Sequence, residues 1–130
     1  MNELTRIILQ SYKALDAGES IETVKKRAGK WFVTLDQVQK RKLKKDYLGI
    51  VGRNSSFDQE SLLRVITGMT LMLSLLDEFP MTASFSSEVR KGFHASIEKE
   101  TKMTMDQFSR VFERWERQSG GFQKLLNESP

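Results

Sequence analysis

Proline occurs only at positions 80 and 130, so almost the whole chain is free of the residue that removes a helical hydrogen bond and clashes with the preceding turn. Apolar side chains recur at three- and four-residue spacings through the same stretches, and no alternation of apolar and polar residues is sustained long enough to specify a strand. The consequence is an all-α chain. Its 130 residues form one domain, 1–130, which at this size buries about two thirds of the surface exposed by the unfolded chain. The core needs no disulfides, and the chain has no cysteine to make them. The expectation is a single compact domain of five or six helices, with a helix-turn-helix in the N-terminal half.

The first helix is expected near 2–16, with Leu4, Ile8, Tyr12 and Leu15 on one face and Gly18 as its left-handed stop. Ser20 caps a second helix, which carries Ile21, Val24 and Ala28 inward, ends near Gly29 and gives way to a loop holding Trp31 and Phe32. For the third helix, Thr34 and Gln37 are spaced as a capping box, with Val33 and Val38 as a hydrophobic staple. A basic helical region thus spans 20–53. A central core helix follows at 57–79, interrupted too often by polar residues to cross a membrane. C-terminal helices occupy 84–118: Phe85, Val89, Phe93 and Ile97 step by four, and Gly92 and Ser96 offer room for a close neighbour. Thr104 and Gln107 form another capping box, Met103 and Phe108 a staple, and Phe108, Val111, Phe112 and Trp115 face inward until Gly120 and Gly121. A short tail carries Phe122, Leu125 and Leu126. The stretch "VTLDQVQKR" at 33–41 is echoed by "MTMDQFSRV" at 103–111, which reads as convergence on one good helix start or, alternatively, as a diverged pair of helix-turn-helix units.

The net charge of +4 is unevenly placed. Residues 25–53 hold Lys25, Lys26, Arg27, Lys30, Lys40, Arg41, Lys42, Lys44, Lys45 and Arg53 against Asp36 and Asp46, a local +8 that leaves −4 for the rest. Charge asymmetry of this kind points to a polyanionic partner. Within it, "KRKLKK" at 40–45 is broken only by Leu43, and at about 100° per residue Leu35, Leu43, Tyr47 and Ile50 gather opposite the cations.

Several chemistries lack their residues. With one histidine, His94, and no cysteine, there is no metal-ligand spacing, and no metal or cofactor is expected. No Gly-rich phosphate loop of the GxxxxGK type is present, and the carboxylates are scattered: Asp36 and Asp106 suit helix starts, while Glu113 and Glu116 alternate with Arg114 and Arg117 as a solvated face does. An enzyme is therefore not expected. "GIVGRN" at 49–54 has the GxxG spacing of a KH loop, but that loop belongs to a fold with strands, so Gly49 and Gly52 read as the end of the third helix. The start "MNELTRIILQ" lacks the basic head and apolar run of a secretory signal, and the expected location is cytoplasmic.

The order of a short capped helix, a turn opening at Gly29 and a basic second helix matches a helix-turn-helix, although Lys25 stands where a small residue is usual and the turn is about two residues too long. On this reading the protein is a small DNA-binding regulator or accessory factor, with DNA favoured over RNA. Lys40, Arg41, Lys44 and Lys45 contact phosphates, Lys25, Lys26, Arg27, Lys30 and Arg53 extend the patch, and Gln37 reaches a base edge unless it is spent on its own cap. Trp31 and Phe32 either stack on unpaired bases or belong to the core. Dimerisation would supply a second half-site. The rival is an adaptor or inhibitor that docks an acidic or apolar partner surface through Met81, Met103 or Trp115; a basic amphipathic helix also suits an anionic membrane surface.

One resemblance bears on RNA. "FPMTASF", "RKGFHASI" and "MTMDQFSRVFERW", within residues 79–115, resemble in their order the elements of FinO and ProQ RNA-binding domains. The aromatic, glycine and arginine positions expected after the last helix are absent, and the first half of the chain has no counterpart. The resemblance implies an RNA-binding regulator as a further alternative.

Overall fold

A computed structural model describes residues 1–78, 87–121, 124 and 127. Pro80, Met81, Phe85, most of the cap candidates in "TASFSS", the tail residues Phe122, Leu125 and Leu126, and the side chain of Val89 lie outside the described residues. Among those described there are six helices and no strand: α1 (Glu3–Asp16), α2 (Ile21–Thr34), α3 (Gln37–Val51), α4 (Gln59–Glu78), α5 (Ser87–Thr101) and α6 (Met105–Ser119). They form a single all-α domain. No described helix is long and apolar enough to cross a membrane.

Helix α4 is the hub. Leu62, Ile66, Met69 and Leu73 are completely buried on it, and α1, α2 and α5 pack around it, while α3 lies on α6 and α1. Gly68 marks the tightest approach: a β-carbon there would collide with Thr101 Cγ2 and stand 2.7 Å from the Phe108 ring. The polar edges of this core are satisfied locally. Asn2 accepts from Thr5 N–H at 2.8 Å to start α1, and the buried Thr5 hydroxyl in turn accepts from Trp115 Nε1 at 3.1 Å, which ties α6 to α1.

Several local expectations hold. Ser20 accepts from Thr23 N–H as the cap of α2, Gly18 adopts φ 100° after α1, and the Thr104–Gln107 capping box of α6 is complete. Phe108, Val111, Phe112 and Trp115 are all buried, and Gly120 closes that helix in the left-handed region.

Others are overturned by tertiary contacts. Helix α2 does not end near Gly29 but runs on to Thr34, so Trp31 and Phe32 are helical rather than in a loop, and no turn opens at Gly29. The reason lies in α4: Gly29 is buried with its missing β-carbon facing Gln59 and Leu63, and Gln59 Nε2 donates to the Gly29 carbonyl at 3.4 Å. Close packing of two helices, not a helix stop, is what this glycine permits. The turn to α3 is only Leu35 and Asp36.

That extension moves the cap. Thr34 is the last residue of α2 and donates its hydroxyl to the Trp31 carbonyl, so Asp36 caps α3 in a complete capping box with Gln39. Val33 and Val38 form no staple; they are 68% and 58% exposed. Helix α4 begins at Gln59, where Asp58 accepts from Ser61 N–H. Among the described residues nothing packs on Gly92, where a β-carbon would meet no atom, and Ser96 is exposed. Trp115, 1% exposed, is a core residue and cannot dock a partner, and Met103 is half-buried against the core.

Candidate nucleic-acid interface

Helix α3 is fastened on one face and at both ends. Leu43, Tyr47 and Ile50 are buried, Asp36 and Gln39 satisfy each other's backbone N–H at 2.8 and 2.9 Å, and Gly52, at φ 110°, closes the C-terminal end with its N–H on Leu48 O. The last carbonyls, which a helix leaves without internal partners, are taken by side chains: Ser55 Oγ donates to Val51 O at 3.0 Å and Arg114 Nη1 to Ile50 O at 2.9 Å. Gly49 does not end the helix; it lies within it and faces the Gln118 side chain of α6.

The opposite face is solvated and cationic. Arg41, Lys42, Lys44 and Lys45 are exposed, and none has an ion-pair partner among the described residues, whereas Arg6, Lys25, Arg27 and Arg64 each do. Arg41 faces Lys44 and Lys45 at spacings of three and four residues, Lys40 faces Lys44 at four and Lys42 faces Lys45 at three. Like charges so placed each cost about 0.2–0.5 kcal/mol of helix stability. Asp46 is the only acid of α3 and is half-buried; burial pushes its carboxyl upward, opposed by the charge of Lys45. Gln37 is exposed, and with the cap formed by Asp36 and Gln39 its amide is not spent on the helix start.

The remaining cations are not equivalent. Lys40 is half-buried with Nζ 5.1 Å from the centroid of Phe32, a cation–π contact. Phe32 packs edge-on against Phe57 at 6.0 Å, and Phe57 meets Tyr47 at 5.5 Å, so this aromatic cluster joins α2 and α3 to the core instead of offering a base platform. Trp31 is likewise half-buried against the core. Lys25 is bound to Glu100 of α5 at 2.5 Å and to Glu22 at 3.4 Å, chiefly the former raising its pKa. Arg27 is paired with Glu19 at 2.7 Å. Lys26, Lys30 and Arg53 are exposed without a carboxylate partner among the described residues, but Lys26 and Lys30 border a groove between α2 and α4, apart from the α3 face.

The structure also brings in cations that a reading of 25–53 alone misses. Arg110 and Arg114 line a cleft of about 310 Å³ with Val51 and Gln107, so α6 adds positive charge beside the C-terminal end of α3. The recurrence of Arg110, Arg114 and Arg117 at three- and four-residue spacings is the signal in the sequence. Comparison with protein-family models, curated proteins and solved structures finds no match.

Proposed function

We propose that this protein is a small non-enzymatic nucleic-acid-binding factor, a DNA-binding regulator or accessory protein, that lays the outer face of α3 against the polyanion. One observation carries the reading: Arg41, Lys42, Lys44 and Lys45 share a solvated face without carboxylate partners among the described residues. A helix that accepts this self-repulsion stores an unsatisfied field that phosphates would neutralise. Because α3 is anchored before any ligand arrives, little ordering cost falls on binding.

DNA is favoured over RNA on groove shape. Helix α3, 15 residues long or about 22 Å at 1.5 Å per residue, fits the major groove of B-DNA, whereas the deep, narrow major groove of A-form RNA excludes side chains. Arg41, Lys42, Lys44 and Lys45 would hold phosphates, Gln37 at the start of the helix would meet a base edge, and Arg53, Arg110 and Arg117 would widen the footprint. In this arrangement α2, its two-residue turn and α3 act in the order of a helix-turn-helix, and a second copy would supply the second half-site.

Fluorescence anisotropy of a labelled duplex across a salt series tests the reading. Roughly four phosphate contacts give a slope of log affinity on log salt near −3.6, at about −0.9 per contact. Affinity that ignores salt, or that survives conversion of Arg41, Lys42, Lys44 and Lys45 to Glu with helicity intact, would refute it.

A further inference from the structure

The groove between α2 and the N-terminal part of α4 has a volume of about 670 Å³ and is lined in part by Gly29, Val33, Leu63 and Gln59, together with Lys26 and Lys30. The absent β-carbon of Gly29 brings α2 close to Gln59 and Leu63. Val33, which a staple would have covered, is 68% exposed, and Leu63 is only half-buried. Apolar surface of this kind, bordered by polar residues, marks a site that another surface covers.

Charge decides what kind of surface. Lys26 and Lys30 stand one helical turn apart, exposed and unpaired among the described residues, while the charges of Lys25 and Arg27 beside them are already met by Glu100, Glu22 and Glu19. None of the lining residues is aromatic, so a nucleobase would find no stacking platform. Aliphatic walls with two free ammonium groups at an i, i+4 spacing complement a helix that presents aliphatic side chains at i and i+4 and carboxylates beside them. We propose that this groove docks an acidic amphipathic helix of a partner protein. The proposal uses α2 and α4, not the outer face of α3, and stands whether or not α3 binds nucleic acid.

Selection of a random peptide display library against the full chain, with counter-selection against Val33→Asp, tests it. Val33 is a surface residue, so that variant retains the fold, which circular dichroism verifies. Enriched peptides are expected to combine aliphatic pairs at i and i+4 with Asp or Glu. Their affinity should fall at least about tenfold in the double variant Lys26→Glu, Lys30→Glu, and their amide shifts should map to Lys26, Gly29, Lys30, Val33 and Leu63. Enriched peptides that are basic or uncharged, or binding indifferent to the double variant, would overturn the proposal. So would concentration-dependent self-association lost in Val33→Asp, which assigns the groove to a second copy, and so would displacement of the peptide by duplex DNA that shifts the same amides.

Discussion

Replacing Arg41 by Glu should stabilise the protein and, if α3 binds nucleic acid as proposed, lower its affinity for duplex DNA in one step. Arg41 is exposed and faces Lys44 and Lys45 along α3, and like charges at those spacings cost about 0.2–0.5 kcal/mol per pair while opposite charges return a similar amount. The substitution therefore swings each of two pairs by about 0.4–1 kcal/mol, and a glutamate that precedes its lysine partner has the better orientation. Solvent exposure and salt reduce the sum, leaving about 1 kcal/mol at low ionic strength. For a domain of this size that is a rise in Tm of about 3–5 °C. Arg41→Gln, which removes repulsion without adding attraction, should give roughly half. Thermal denaturation followed by circular dichroism at low and high salt measures the gain, which should shrink as salt rises. Anisotropy on the same samples should show affinity for duplex DNA lower by at least about tenfold and a salt slope shallower by about 1. A lower Tm at low salt would show that the α3 cations are not in mutual repulsion, and unchanged binding would remove Arg41 from the proposed interface.

Four further outcomes follow from the packing. Gly68→Ala adds a favourable helix former yet forces a methyl into Thr101 and the Phe108 ring, so denaturant unfolding should show a net loss of about 1–3 kcal/mol. Arg114→Met keeps the apolar stem but frees the Ile50 carbonyl; a loss of about 1.5–3 kcal/mol is expected, and hydrogen exchange should rise at the C-terminal end of α3. Thr5→Val leaves the buried Trp115 N–H without its acceptor and should cost about 1–3 kcal/mol, read in urea denaturation. Burial holds the Tyr47 hydroxyl in its neutral form and pushes its pKa up from 10.0 to about 12. Between those two values the unfolded chain loses a proton that the folded chain keeps, so stability from this group is full below pH 10 and declines as pH rises toward 12. Tyr47→Phe should remove that part of the decline, which a comparison of the two stability profiles in alkaline buffer measures.

What the sequence determined alone is what neighbouring residues decide among themselves. The helical class and the buried faces of α1, α3 and α6 follow from spacing, and the Thr104 cap forms because residue 107, three positions on, is the glutamine that closes the box. The matching stretch at 33–41 shows where local rules stop. Both Thr34 with Gln37 and Asp36 with Gln39 have the capping spacing, and the choice fell to Asp36 because α4 held α2 helical through Gly29 to Thr34. With α2 packed on α4 and helical to Thr34, Trp31 and Phe32 are helix residues, Val33 and Val38 lie in solvent and the amide of Gln37 is not spent on the cap. Charge behaved the same way. The concentration of cations in 25–53 was plain in the sequence, but Glu100, 75 positions beyond Lys25, removed that lysine from the free patch, and Arg114 joined the end of α3 from 64 positions away. Helix propensity and capping act within a few residues, whereas ion pairing, close helix approach and burial depend on which elements meet in space, and only the tertiary structure sets that.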